Sequence, residues 1–189
     1  VRFLRNTNGD SVYSRIRIAF LQIRVLGSRM NNPAPLSLDR IDFRLLAAIQ
    51  QNADLTNVEL GERAHLSPSQ CARRLDRLRR EGYIERTVTL LDPARFGLTI
   101  LVHTAISLRT HDPERTAAFV AFVKTAPEVL ECYAQTGDAD FMMKIIVSDL
   151  RDLNAFFDRL LLVAGGVAAM RSGVVMRTIK QTTAIPLPG

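Results

Sequence analysis

Five arginines fall within eight residues, from Arg73 to Arg80. A guanidinium presents a planar fork of donors that matches a phosphate or the edge of a guanine. The cluster sits in SPSQCARRLDRLRREG, Ser67 to Gly82, and the ends of that stretch are marked as a helix. Ser67 suits the cap, Pro68 the first helical position and Gln70 the third, which completes a capping box. Gly82 stands where a left-handed residue would stop the helix. At about 100° per residue, Cys71, Leu75 and Leu78 share one side. Ser69, Gln70, Arg73, Arg77 and Arg80 share the other, with Arg74 at the flank. One edge must pack; the opposite face is suited to a polyanion.

A run of charge is usually a solvated surface, so the elements before it decide the reading. Thr56-Asn57-Val58-Glu59 is another capping box and opens a short helix to about Ala64. His65 and Leu66 make the junction. Two capped helices joined by a tight turn form the helix-turn-helix unit, whose second helix enters the major groove of double-stranded DNA. A longer amphipathic helix precedes them, Asp39 to about Gln51, with Ile41, Leu45, Leu46 and Ile49 at helical spacing.

Composition sets the frame. The chain has 189 residues, 47% of them hydrophobic, without the long apolar run that a membrane span requires. Its net charge of +6 is uneven, because residues 1–35 hold six arginines against one acid. Residues 36–92 balance at nine basic and nine acidic groups, so the basic helix is a local asymmetry. Cys71 and Cys132 are far apart and no Cys or His spacing suggests a metal. The expectation is a cytoplasmic, nucleoid-associated protein without a cofactor. Residues 1–35 read as an extension outside the fold. RIRIAFLQIRVL, Arg15 to Leu26, breaks any signal-peptide core with arginines, and Met30 lies just ahead of the folded pattern. A basic arm reaching DNA is the functional alternative for that segment.

Beyond the helices the pattern changes. Tyr83 to Leu91 is β-prone and reads as a short strand or wing. Asp92-Pro93 breaks it and opens a hinge, 93–98. Then Thr99–Leu108 reads as strand, Asp112 to about Thr125 as helix, Val129–Thr136 as strand, and Phe141–Val147 as strand. Ser148 caps a helix to about Leu162 with Leu150, Leu153, Phe156, Phe157 and Leu160 inward, and Val167–Thr178 is the last strand. The order is a ferredoxin-like βαββαβ arrangement in residues 99–189, making the chain α+β with an N-terminal helix-turn-helix domain in 36–92. Helices on one face leave the other to be covered. Ile145, Ile146, Val147, Val174, Val175 and Met176 predict a second copy there, hence a homodimer.

The turn TGDAD is the other candidate site. Gly-Asp is good hairpin chemistry by itself. As a site, the carboxylates of Asp138 and Asp140 would take an ammonium, while the amides around Thr136 and Gly137 would take a carboxylate. That is the pattern of an amino-acid zwitterion.

These segments together resemble the Lrp/AsnC (leucine-responsive, feast–famine) family of transcription regulators. The likeness runs from about Leu36 to Leu187. It rests on LDRIDFRLLAAIQQNADLTNVELGERAHLSPSQCARRLDRLRREGYI, LLDPARFG, PEVLECYAQTGDADFMMKIIVSDL and KQTTAIPL. The resemblance implies a winged helix-turn-helix domain hinged to an effector-sensing and oligomerising βαββαβ domain, with dimers that assemble further, often to octamers. It implies DNA contacts from Ser67, Ser69, Gln70, Arg73, Arg74 and Arg77 in the DNA-reading helix, and an effector pocket between dimers lined by Gly137, Asp138 and Asp140. Position 139 is Ala where many relatives carry a bulky residue, which puts the ligand's size in question. The same architecture also resembles sirohaem decarboxylases, an enzyme reading for which His103 and His111 would matter. An architectural DNA binder without effector is the third reading.

Overall fold

The computed structural model describes residues 38–109 and 112–188. The expectations for residues 1–35 and for His111 lie outside them. The described residues form two compact units, one of residues 38–91 with 179–188 and one of residues 92–178.

In the first unit, three helices each begin on a reciprocal cap. Helix α1 (Arg40–Gln51) starts at Asp39, α2 (Asn57–Ala64) at Thr56 and α3 (Pro68–Arg80) at Ser67. In each, the cap side chain accepts from the N3 backbone and the N3 side chain accepts from the cap backbone. Leu45, Leu46, Leu60, Ala64, Cys71, Leu75 and Leu78 bury against one another. Burying each large aliphatic side chain stabilises by about 1.5–3 kcal/mol, so this small core can hold three short helices.

The α2–α3 turn is tight. His65 closes α2 in the left-handed region at φ 56°. Gly61 lies under the turn: a Cβ there would meet the Leu66 carbonyl oxygen at 2.5 Å. The Gly61 carbonyl itself accepts from Leu66 N–H at 2.9 Å. Gly82 stands just after α3 with φ 79°, the expected stop.

Two expectations are corrected here. The run Tyr83–Leu91 forms no strand in the described residues. Tyr83 and Ile84 pack on the helical core while Val88, Leu90 and Leu91 are exposed. β-prone residues make a strand only where another strand offers its backbone, and this unit contains none. The second correction concerns the C-terminus, which was assigned to the sheet domain. Leu187 instead packs on the helical core. Gln50 grips the same segment from α1, donating from Nε2 to Ile185 O (3.0 Å) and accepting from Ile185 N at Oε1 (3.2 Å).

The second unit begins with a 3-10 turn (Pro93–Phe96) capped by Asp92 and closed by Gly97 at φ 76°. Its elements follow in the order β1 (Ile100–Leu108), α4 (Pro113–Thr125), β2 (Val129–Ala134), β3 (Phe141–Val147), α5 (Leu150–Ala164) and β4 (Val167–Val174). The sheet order is β2-β3-β1-β4 with every neighbouring pair antiparallel, the ferredoxin-like topology. One sheet face carries Val102, Ile106, Phe141, Met143 and Ile145 onto Phe119 of α4 and Leu153, Phe156 and Leu160 of α5. Thr104, the buried polar residue of that face, bonds Ser172 Oγ at 3.0 Å.

Details differ from the sequence reading. The cap of α5 is Asp149, which accepts from the N–H groups of Arg151 and Asp152 at 2.8 and 2.9 Å; Ser148 bonds the Asp152 carboxylate instead. Leu150 points outward, 58% exposed. β4 ends at Val174, and Met176 is 93% exposed. Ile145 and Val147 belong to the helix-covered core, so of the β3 residues expected to need a partner, strand alternation places Ile146 on the other face. That face is mixed. Leu101, Ala105 and Met142 share it with His103, Arg171, Tyr133 and the ion pair Lys144–Glu131 (2.9 Å).

Candidate nucleic-acid interface and effector turn

The α3 sequence places its six candidate residues in three different situations. Ser67 and Gln70 build the cap: Gln70 Oε1 accepts from Ser67 N at 3.0 Å, and Ser67 Oγ accepts from Gln70 N at 3.3 Å. Ser69 and Arg73 are exposed on the outward face. Arg74 and Arg77 are turned toward α1. Arg74 Nη1 lies 2.7 Å from Asp39 and 2.8 Å from Asp42, and Arg77 Nη2 lies 2.5 Å from the other Asp42 oxygen. Arg77 was expected to face outward with Arg73. It does not, because Asp42 is buried, its side chain 1% exposed, and a carboxylate taken from water requires cationic donors.

The Asp42 clamp also marks the electrostatics. Asp39 is held below the usual carboxylate range, first by the Asp42 backbone N–H and then by Arg74. Arg74 is held more firmly protonated by the Asp39 and Asp42 hydrogen bonds. Arg79 pairs with Asp76 at 3.2 Å. Arg73 and Arg80 are exposed and carry no ion pair among the described residues. Helical spacing also places Arg80 on the outward face, beside the six candidates.

Asp42, Gly61 and Gln50 were not singled out from sequence. Asp42 sits three residues after Asp39, the spacing of a capping box, which was the available signal. Gly61 inside a short helix, where glycine is unfavourable, was another.

The Thr136–Asp140 turn joins β2 to β3 against the end of β1. Gly137 takes φ 127°, a backbone conformation open to glycine. Asp140 N donates to Ile106 O at 2.8 Å, Asp140 Oδ2 accepts from Leu108 N at 2.7 Å, and Ser107 Oγ donates to Asp138 O at 3.2 Å. Thr136, Gly137 and Asp138 are exposed, and Asp140 is half-buried. The two acids therefore differ: Asp140 fixes the turn on β1, while Asp138 presents a carboxylate to solvent. A shallow cleft of about 320 Å³ opens at the opposite end of β3, between Leu98, Glu128, Val147, Asp152 and Arg159, away from the turn. Among the described residues no three His, Cys, Asp or Glu side chains form a metal-binding group. His103 lies on the open sheet face opposite Lys144.

A helix-turn-helix with a basic outward face, followed by a ferredoxin-like unit, defines a class: a DNA-binding protein carrying a separate sensing unit. Residues 38–85 match the winged helix-turn-helix DNA-binding family, and residues 101–185 match the Lrp/AsnC ligand-binding domain. The chain is 35% identical over 150 residues to the DNA-binding transcriptional activator DecR of Escherichia coli K12, covering 79% of this chain and 99% of that one. It is 36% identical to the leucine-responsive regulatory protein of Salmonella typhimurium, over 77% of this chain and 88% of that one. A transcriptional regulator from Neisseria meningitidis, solved as an L-Met complex, superposes with a TM-score of 0.75 at 37% identity, over 79% of this chain and 97% of that one. The chain belongs to the Lrp/AsnC family and is a DNA-binding transcriptional regulator, with regulation that responds to an effector.

Proposed function

We propose that this regulator reads duplex DNA through the outward face of α3 and changes its DNA binding or assembly when a small amino acid binds at the 136–140 turn. The observation that carries the reading is the pairing of an exposed, partly unneutralised basic helix face with a separate unit whose turn offers a solvent-facing carboxylate. Asp138 would hold the effector's ammonium group, the amides at Thr136 and Gly137 its carboxylate, and Asp140 would keep the turn in shape. The L-Met bound by the Neisseria relative favours an amino acid as ligand class. The relatives are transcriptional regulators, which favours regulation over an enzymatic reading. Its place of work would be the cytoplasm, on nucleoid DNA.

A homodimer, assembling further toward an octamer, fits the same reading. Supporting it are the sheet face with the half-buried Leu101 and Met142, and the exposed Val88, Leu90 and Leu91, more apolar surface than solvent favours. Two copies would present paired α3 helices to successive major grooves. Effector binding would then act by shifting which assembly is populated.

The test is a thermal-shift screen against the twenty amino acids, with light scattering and DNA binding measured on each hit. A ligand that raises Tm and changes particle size or DNA affinity supports the proposal. No shift with any of them refutes an amino-acid effector and points to a ligand of another chemical class.

A further inference from the structure

Of the five arginines of α3, Arg79 pairs with Asp76, and the structure divides the other four into two pairs. Arg74 and Arg77 converge on Asp42, which is buried to 1% side-chain exposure, while their own side chains are 25% and 36% exposed. Asp42 bonds one arginine through each carboxylate oxygen, Oδ1 to Arg74 and Oδ2 to Arg77. Asp42 also closes the α1 cap by accepting from Asp39 N at 3.2 Å. This one side chain therefore ties the start of α1 to the middle of α3 at two points a helical turn apart. Two such points fix a helix in azimuth as well as in distance. Glu81 completes the clamp, 3.9 Å from Arg77 Nε.

The other pair is Arg73 and Arg80. With steps of about 100° per residue, Ser69, Arg73 and Arg80 fall within about 40° of one another, on the side opposite Cys71, Leu75 and Leu78. Asp76 borders that stripe, and its pairing with Arg79 offsets its charge. A guanidinium that left Asp42 for a phosphate would strand a buried carboxylate, whereas Arg73 and Arg80 have no ion pair to give up among the described residues.

We propose that Asp42 is a positioning residue for DNA recognition: it holds Arg74 and Arg77 as ties between helices and so turns Ser69, Arg73 and Arg80 toward the DNA. The inference rests on the DNA-reading role of α3. It separates residues that look alike in sequence by what they do, two to set the helix and two to contact the nucleic acid.

Each phosphate contact adds about one to the slope of log K against log salt, whereas a residue acting only through helix placement leaves that slope alone. The experiment measures DNA affinity between low and moderate salt for the full chain and for Arg73→Gln, Arg80→Gln, Arg74→Gln, Arg77→Gln and Asp42→Asn, with Tm recorded for each. Binding by the unaltered chain that shows no salt dependence would overturn the underlying reading of the α3 face. Given salt-dependent binding, Arg73→Gln and Arg80→Gln are expected to flatten the slope by about one per subunit with Tm unchanged. Arg74→Gln, Arg77→Gln and Asp42→Asn are expected to lower Tm, weaken binding and keep the slope. In addition, the Tm losses of Asp42→Asn and Arg77→Gln should not add in the double variant, since they break one tie. If Asp42→Asn does not fold, the two tie arginines decide the matter. A slope that flattens for Arg74→Gln and Arg77→Gln as it does for Arg73→Gln, at unchanged Tm, overturns the proposal.

Discussion

Single residues carry several of the sharpest constraints. Gly61 packs its α-carbon against the turn that aims α3, so Gly61→Ala forces a methyl to within 2.5 Å of the Leu66 carbonyl. The backbone must move, and a loss of about 1–3 kcal/mol is expected in urea unfolding, together with weaker DNA binding. The thiols give a second expectation. Burial pushes the Cys132 thiol up to about 11 and raises that of Cys71 as well. Thiolate, the reactive form, is then scarce at neutral pH, so a thiol-alkylating reagent should label neither in the folded protein and both in urea. The two acids of the turn separate cleanly. Asp138→Ala and Asp140→Ala should each abolish a ligand-induced rise in Tm, but only Asp140→Ala, which loses the Leu108 bond, should lower Tm without ligand. A ligand response retained by both variants would remove the turn as the site.

At the scale of elements, three helices in succession begin on reciprocal caps, and two of those caps depend on charge. The Glu59 carboxyl is held below its usual range by the backbone N–H and hydroxyl of Thr56, and Asp39 by the Asp42 N–H with Arg74. A carboxyl whose folded pKa is depressed stabilises fully above its unfolded value, about 4. That contribution fades as pH falls through the depressed value. The helical unit should therefore lose stability below about pH 4, and Glu59→Gln should weaken the dependence; circular dichroism across pH checks it.

The helices were legible because their signals are local: caps, a 3.6-residue period and a glycine stop. Phe141–Val147 was legible for a similar reason, a dense apolar run between a turn and a cap. Tyr83–Leu91 was misread because strand formation depends on a neighbour that no local signal reveals. The Ser148–Asp149 ambiguity has another origin, two adjacent residues of capping type. The inward turn of Arg77 was invisible for a third. It follows from the burial of Asp42, which is set by how α1 meets α3 across thirty-odd residues of chain. Thus the outward positions of Ser69 and Arg73 followed from spacing, and the division of labour among the arginines did not.

Across the whole molecule, residues 179–188 belong with the helices at the other end of the chain. Leu187 covers the helical core and Gln50 holds the Ile185 backbone from both sides. Leu187→Asp should thus destabilise the helical unit by about 1–2 kcal/mol, read by chemical denaturation, while the sheet unit retains its stability. Equal loss in both units, or none, would argue against a strap specific to the helices.

That discontinuity has a consequence in time. Helices α1 to α3 are synthesised first, yet the segment that covers their core is synthesised after the entire sheet. A nascent chain paused before Ile185 would hold three helices without their strap, exposed to solvent and to proteases while β1 to β4 assemble. The last segment of the DNA-reading unit is thereby synthesised only after every strand of the sensing unit.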